Sequence, residues 1–193
     1  MKRIFAIVSM AIVMMMAGYQ ASAQCAFPEG SWGINLGFGV GNSSGHHSYG
    51  NHWCDKITIP SFNVAVDYAF LPNIINSNGC ISGGGYLSLG RGSDKSYDWK
   101  DMVGQWKVGT RGALHYTWVR HLDTYAGVGL GAKHEGYKGK YLPNGDKTPK
   151  DNSTDFDFSG FAGVRYIMGN FAVYSEVCTS NYAWFQIGIS FVL

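Results

Sequence analysis

The sequence lacks several patterns that point to common functions. After its N-terminal region, no stretch approaches the ~20 consecutive apolar residues that a membrane helix requires. No helical periodicity occurs there either. Charge is also balanced: apart from Lys2 and Arg3, which lie at the N-terminus, the 13 remaining basic residues equal the 13 acidic ones. Nucleic-acid-binding proteins usually carry a basic excess, so nothing here indicates a nucleic-acid partner.

The first 23 residues have the pattern of a signal peptide. A basic start at Lys2 and Arg3 precedes the apolar run Ile4–Ala17, and Ala21–Ala23 reads ASA, a small-residue cleavage site. We therefore predict a signal peptide over residues 1–23 and one exported domain over 24–193. Lipidation of Cys25 is the alternative, which the residues just before that cysteine disfavour.

The composition favours an ordered all-β structure. The chain has 27 glycines and 15% aromatic residues, and the glycines are interleaved with large apolar side chains rather than forming a low-complexity tract. The segment Ala183–Leu193 alternates strictly. One face carries Phe185, Ile187, Ile189, Phe191 and Leu193, and the other carries Gln186, Gly188, Ser190 and Val192. This alternation is typical of a transmembrane β-strand whose apolar face contacts lipid.

Seven more segments alternate in the same way. With the terminal strand they give eight candidates: Trp32–Gly41, Pro60–Phe70, Cys80–Gly90, Gln105–Tyr116, Asp123–Glu135, Asp155–Tyr166, Phe171–Val177 and Ala183–Leu193. The connections Asn42–Ile57, Arg91–Met102 and Gly136–Thr154 are long and polar, whereas Thr117–Leu122 and Ile167–Asn170 are short. Bacterial barrels have long outer loops and short periplasmic turns. We therefore predict an all-β, eight-stranded antiparallel up-and-down transmembrane β-barrel.

Three segments near the C-terminus resemble a known family. Gly160–Tyr166 reads GFAGVRY, Ala172–Glu176 reads AVYSE, and Phe185–Phe191 reads FQIGISF. These are similar to the porin-family outer-membrane β-barrel domain, in the small group that includes OmpA-like and OmpX-like barrels. The resemblance implies location in the cell outer membrane, contact with its lipids and lipopolysaccharide, and recognition of the C-terminal strand by the barrel-insertion machinery. Leu193 departs from the pattern, because a terminal Phe is commonest there.

The face opposite the apolar one carries small and charged residues. Glycines at Gly37, Gly39 and Gly41, and again at Gly127, Gly129 and Gly131, leave room for long side chains inside a narrow bore. Neither run has the spacing of a dinucleotide-binding loop. The charged residues on this face are Asp67, Lys107, Arg111, Lys133, Glu135, Asp157, Arg165 and Glu176. Because buried charges require partners, we predict a lumenal ion-pair network that plugs the barrel, with Arg111 and Glu176 at similar heights. A gated pore is the alternative.

Four cysteines lie in the exported part, an oxidising context. In the predicted topology Cys54 and Cys178 lie in adjoining outer loops, so we predict that they pair. Cys25 precedes the first strand and Cys80 begins the third, both at the periplasmic end, which predicts a second disulfide, Cys25–Cys80.

Metal and enzyme chemistry are disfavoured. The first outer loop holds His46, His47, His52, Cys54 and Asp55, which are zinc-ligand types without zinc-site spacing, so we expect no metal or cofactor. Some eight-stranded barrels modify lipid A. Here His46–Ser48 and His115 qualify by residue type only, and His115 is expected near the inner leaflet, so we predict no enzyme.

The sequence predicts a function that is carried out at the outer surface of the membrane. Outward aromatics near strand ends, namely Trp32, Trp106, Tyr116, Trp118 and Tyr166, suit interfacial girdles, the alternative being surface packing in a soluble sandwich. The loop aromatics Trp53, Tyr97 and Trp99 are expected at the membrane interface rather than in a ligand site. We predict an integral outer-membrane protein that serves envelope structure or binds an unknown extracellular ligand through its outer loops. A small porin-like channel and a lipid A-modifying enzyme are the alternatives.

Overall fold

A computed structural model shows a closed barrel of eight antiparallel strands. It describes residues 25–40, 57–74, 78–95, 99–141, 151–179 and 183–193. The strands are β1 (Trp32–Val40), β2 (Ile57–Ile74), β3 (Gly79–Lys95), β4 (Trp99–Val119), β5 (Leu122–Tyr141), β6 (Asp151–Met168), β7 (Phe171–Cys178) and β8 (Phe185–Val192). Each strand pairs with its sequence neighbours, and β8 returns to pair with β1. The predicted up-and-down barrel is confirmed.

The ring closes through its two terminal strands. Gly37 lies opposite Gly188 in the register of β1 and β8. Below them, Trp32 and Leu193 exchange two backbone hydrogen bonds of 2.9 Å. Closure pairs the backbone groups that an open sheet would expose, which a lipid environment requires.

Period-two alternation decides which side chains face lipid. On β8, Ile187, Ile189 and Phe191 are exposed, whereas Gln186 and Ser190 are buried in the bore. The predicted girdle residues also face outward. The Trp32 and Tyr68 rings are tilted by 40° with centroids 4.7 Å apart, and Trp118 contacts Tyr116 edge-on at the same distance.

The predicted outer loops are wrong at several boundaries, because the strands continue through them. Arg91–Met102 was expected to be a loop, but β3 runs to Lys95 and β4 begins at Trp99. Gly136–Thr154 was also expected to be a loop, but β5 continues to Tyr141 and β6 begins at Asp151. Backbone pairing with a neighbour can extend a strand where no residue faces lipid and no apolar alternation is needed. Hydrophobic alternation therefore underestimates the length of strands that rise above the membrane.

The inner end of the barrel has tight connections. β4 and β5 are joined by Arg120 and His121, and His121 has a φ of 70°. Gly169, with the same φ, and Asn170 join β6 to β7. None of the described residues belongs to a helix that is long and apolar enough to cross a membrane.

Candidate functional site

The bore of the barrel is filled by polar and charged side chains. They arrive from alternate positions of every strand, which all point inward. Buried examples are Asn35, Asn63, Asp67, Ser82, Ser88, Gln105, Lys107, Arg111, His115, Asp123, Glu135, Ser159, Arg165, Glu176, Gln186 and Ser190. Because burying a charge is unfavourable unless it is paired, the arrangement of these groups decides what the bore can do.

Arg111 of β4 forms the middle of the charged network. Its Nε lies 3.0 Å from Asp67 Oδ1, and its Nη2 donates to Glu176 Oε2, also at 3.0 Å. The guanidinium carbon lies 4.0 Å from the centroid of the Phe161 ring. One cation from β4 therefore connects β2 to β7 across the bore, where a conducting path would have to pass.

Arg165 of β6 is fully buried nearer the inner end. Its side chain lies 3.7 Å from Asp123 and 3.9 Å from Asp67 at the closest nitrogen–oxygen pairs. The rings of Phe27 and Tyr125 lie 5.0 and 5.4 Å from its guanidinium carbon. None of its guanidinium nitrogens has a hydrogen-bond partner among the described residues. Charge neutralisation and aromatic contact therefore hold this cation in place.

Next to Arg165 lies a hydrogen-bonded relay formed by Ser82, His115 and Asp123. Ser82 Oγ is 2.8 Å from His115 Nε2, and His115 Nδ1 is 2.9 Å from Asp123 Oδ2. These residue types in this order can activate a serine nucleophile. Here all three are at most 1% exposed. The Phe27 and Tyr125 rings lie 4.9 and 5.3 Å from the imidazole, so nothing in the arrangement admits a substrate.

Residues Cys25–Pro28 form an inner plug that closes the periplasmic mouth. Phe27 is completely buried against Ala69 and Cys80. The Ala26 N–H donates to Thr117 Oγ1 at 2.7 Å. The plug is thus bound to the inner ends of β2, β3 and β4 and lies over the relay.

Two glycines make the entry of the plug possible. Gly30, at a φ of 81°, turns the chain toward β1 and donates its N–H to the Ala69 carbonyl at 2.9 Å. Gly33 follows on the inner face of β1. A Cβ there would lie 2.9 Å from Arg165 Nη1 and 3.3 Å from the Phe27 ring. A larger residue at Gly33 would force these two side chains to shift.

Two thiols meet at the plug. Cys25 and Cys80 both donate to the carbonyl oxygen of Phe27, over 3.2 and 3.1 Å. A hydrogen bond from the Cys80 thiol lowers the pKa of Cys25 to about 6. Both sulfurs are thiols in this structure, so the Cys25–Cys80 disulfide stays a prediction. The Cys54–Cys178 pairing involves a cysteine outside the described residues.

The outer half of the bore is looser and contains a cavity. It is bordered by Ser61, Asn63, Tyr86, Ser88, Lys107, Arg111, Gly129, Ser159, Phe161, Glu176, Cys178, Ala183 and Gln186. About 30 Å³ of it is open to the centres of water molecules, enough for one or two.

Two lysines lie opposite each other on neighbouring strands, and one of them, Lys107, borders this cavity. Lys107 lies directly across from Lys133 in the register of β4 and β5. Each has an acidic neighbour: Lys107 pairs with Asp157, and Lys133 Nζ lies 2.8 Å from Glu135 Oε1. The paired carboxylates prevent two like charges from facing each other uncompensated.

All eight charged residues predicted for the lumen line the bore. Their side chains are 0–14% exposed, the largest values being 14% for Lys133 and 10% for Asp157. Phe27 and the roles of Ser82 and Asp123 were missed. Asp123 lies an even number of residues before Lys133 in the same strand, so the alternation that placed Lys133 on the inward face could also have identified Asp123. Phe27 precedes the first strand, where no periodicity applies.

The predicted metal-type residues cannot be located. His46, His47, His52, Cys54 and Asp55 lie outside the described residues, as do Ser48, Trp53 and Tyr97. Within the part of the chain that is described, no group of three or more His, Cys, Asp or Glu side chains could hold a metal ion.

A family model described as an outer membrane protein beta-barrel domain matches residues 9–182. Two solved structures of Ail, the attachment invasion locus protein of Yersinia pestis, align with a TM-score of 0.43 at 16% identity, covering 86% of this chain and 96% of that chain. One of them is a complex with the heparin analogue sucrose octasulfate. A structure of Ail in a phospholipid bilayer nanodisc aligns with a TM-score of 0.41 at 14% identity, covering 86% and 100%. No curated protein sequence matches.

Proposed function

The chain belongs to the outer membrane protein β-barrel domain family, and from this premise we propose that it acts through its outer surface and not by transport or catalysis. The family confirms the resemblance found in the sequence and places the protein in the cell outer membrane. The observation that carries the proposal is the unequal height of the barrel wall. β4 and β5 have 21 and 20 residues, whereas β7 and β8 have 8 each.

The tall side of the wall supports a role outside the membrane. A strand of roughly 9–11 residues crosses the bilayer at a barrel tilt. β4 and β5 exceed that by about ten residues, or about 30 Å of strand at ~3.3 Å per residue. Their inner ends are fixed by the short turn at Arg120 and His121, so the excess projects outward. A sheet of this height presents a rigid surface above the lipid.

The bore supports the exclusion of transport and catalysis. Arg111 bridges Asp67 and Glu176 across the middle, and the inner plug fills the periplasmic mouth. An eight-stranded barrel is only wide enough for its own side chains. We assign no catalytic step to the relay, because Ser82 and His115 are buried beneath Phe27.

Lipopolysaccharide phosphate is the partner that the outer surface fits best. Arg91, Lys138 and Lys140 are exposed on the outward face of β3 and β5, just above the level of Leu89 and Trp106. Arg91 Nη2 contacts the Met102 sulfur at 3.6 Å, and Met102 lies opposite Lys138, so the first two cations are close neighbours. Cations at this level face the phosphorylated headgroups of the outer leaflet.

Vesicle experiments test the lipid partner. We expect the barrel refolded in vesicles with bisphosphorylated lipid A to resist unfolding better than in vesicles with dephosphorylated lipid A. The variant with Arg91, Lys138 and Lys140 all changed to Ala should lose that difference, at about 1 kcal/mol per cation near an anionic surface. Arg120→Ala, at the inner turn, is the control and should keep it. Equal stability of the wild type in both vesicles would contradict the assignment.

A second candidate, capture of an extended peptide, is favoured by the edge of β6. Residues Asp151–Ser159 pair with β5, whereas Gly160 already exchanges hydrogen bonds with Thr179 and pairing with β7 begins at Phe161. Among the described residues this stretch has no strand on its second side, and an open edge can accept an added strand. Replacing Thr154 with Pro would remove a backbone donor there, and the bound fraction of a peptide selected from a random library should fall. Unchanged capture by the Pro variant would rule this edge out.

A further inference from the structure

The two thiols at the inner plug form a reaction-ready pair. Cys25 and Cys80 approach one carbonyl oxygen, that of Phe27, from different parts of the chain and also contact each other. Cys80 is completely buried, whereas Cys25 is only partly covered. We propose that Cys25 and Cys80 are a substrate of a periplasmic disulfide-carrying thiol oxidoreductase, and that their oxidation locks the inner plug into the mouth of the barrel.

The reaction balances with the oxidoreductase as the electron acceptor. The Cys25 thiolate attacks one sulfur of the enzyme disulfide, which forms a mixed disulfide and releases the first enzyme thiolate. Cys80 loses its proton and attacks the Cys25 sulfur, which forms the Cys25–Cys80 bond and releases the second enzyme thiolate. Two thiols of the barrel thus lose two electrons and two protons, and the enzyme disulfide is reduced to two thiols.

The order of attack follows from exposure. Only Cys25 is accessible enough to meet an enzyme, and a hydrogen bond from Cys80 lowers its pKa, which favours formation of the nucleophilic thiolate. Cys80 then resolves the mixed disulfide from within the barrel, because its sulfur already lies beside Cys25. The exposed thiol is therefore the one that can react first.

The plug needs such a tether because its other bonds are few. Apart from the packing of Phe27, it is held by the bonds from the Cys80 thiol to the Phe27 carbonyl and from the Ala26 N–H to Thr117. At the turn that follows, Gly30 donates to Ala69 and Ala69 donates to Ser31. Terminal segments with few contacts open locally far more readily than barrel strands. A bond from Cys25 to β3 would prevent that opening and keep Phe27 over His115.

Thiol mapping tests the modification. Cells are lysed into iodoacetamide, the heat-modifiable folded barrel is purified from outer membranes, and a non-reduced digest is analysed by mass spectrometry. We expect the Cys25 peptide to be joined to the Cys80 peptide in the wild type and in Cys178→Ser, the matched control at the outer end. Recovery of both cysteines alkylated, of Cys25 joined to another cysteine, or of Cys25 carrying a lipid would overturn the proposal.

Hydrogen exchange tests whether oxidation of Cys25 and Cys80 holds the inner plug in place. In nanodiscs, amides 26–31 should exchange at least about tenfold faster after reduction, while those of β4 and β5 stay unchanged. Cys25→Ser and Cys80→Ala should each show the fast rate without reduction, and either variant suffices if the other fails to fold. Equal exchange in the oxidised and reduced proteins would refute the lock. Lipid A binding should be the same in both, because Arg91, Lys138 and Lys140 lie at the opposite end of the barrel, so the two proposals fail separately.

Discussion

The inner and outer halves of the bore contain the same kinds of charged residue in different surroundings. In the inner half, Arg165 and its two carboxylates are enclosed by the rings of Phe27 and Tyr125 and exclude water. In the outer half, Lys133 is 14% exposed and lies opposite Lys107, which borders a cavity large enough for water, and its partner Glu135 is 8% exposed. What covers a buried ion pair, and not its residue types, therefore decides how strongly the fold depends on it.

The largest difference in stability is expected when one cation is removed from each half of the bore. Arg165→Met removes the buried guanidinium beside Asp123 and Asp67, where Asp67 keeps Arg111 and, among the described residues, Asp123 keeps only His115, so we expect a loss of about 3 kcal/mol. Lys133→Met leaves Glu135 with the hydrogen bond from Gln105 and removes a lysine that is 14% exposed, so we expect a smaller loss of about 1–2 kcal/mol. Urea unfolding in lipid vesicles, followed by tryptophan fluorescence, measures both. Similar losses would show that the two halves are equally dry.

A smaller effect is expected from neutralising one carboxylate in the middle of the bore and one in its outer half. Glu176→Gln weakens a charge-assisted hydrogen bond to the buried Arg111, so we expect a loss of about 2 kcal/mol. Glu135→Gln keeps its contact with Gln105, and water can replace the rest, so about 1 kcal/mol is expected. The same unfolding measurement applies. A larger loss for Glu135→Gln would reverse the comparison.

The smallest difference in stability is expected between substitutions of two inward-facing serines of β3. Ser82→Ala removes a partner of His115 in the dry half, which should cost about 1 kcal/mol. Ser88→Ala, at the outer cavity, should change stability by less than about 0.5 kcal/mol.

Ser82 also allows a test for catalytic activity of the relay. A fluorophosphonate probe should not label Ser82 in the folded wild type, because Phe27 covers the relay. Labelling that disappears in Ser82→Ala would show that the relay is accessible and active.

The barrel itself was predictable from the sequence because a strand between lipid and bore must alternate two kinds of side chain with a period of two residues. Lipid on one side and a narrow bore on the other force opposite chemistry on alternate residues, and this pattern gave the eight strands and their faces. The family and the antiparallel ring are confirmed. The same parity placed Arg111 and Glu176 on the inward face, and they lie 3.0 Å apart.

Two features were not predictable from that pattern. Above the membrane the strands need no apolar face, so the ends of β4 and β5 read as loops. The inner plug has no period at all, and Phe27 looks like any aromatic residue in a short connection. Its position depends on the turn at Gly30 and on the space above Gly33, which only three-dimensional packing reveals.

The pairing of Trp32 with Leu193 has a consequence for how the polypeptide reaches its native state. Hydrogen bonds between residues this far apart in sequence give a high contact order, and such contacts form late because loop-closure entropy opposes them. The seam between β1 and β8 is therefore the last ladder to zip, after the hairpins on either side of it. Until then both seam strands carry unpaired backbone amides, and such open strand edges are prone to self-association.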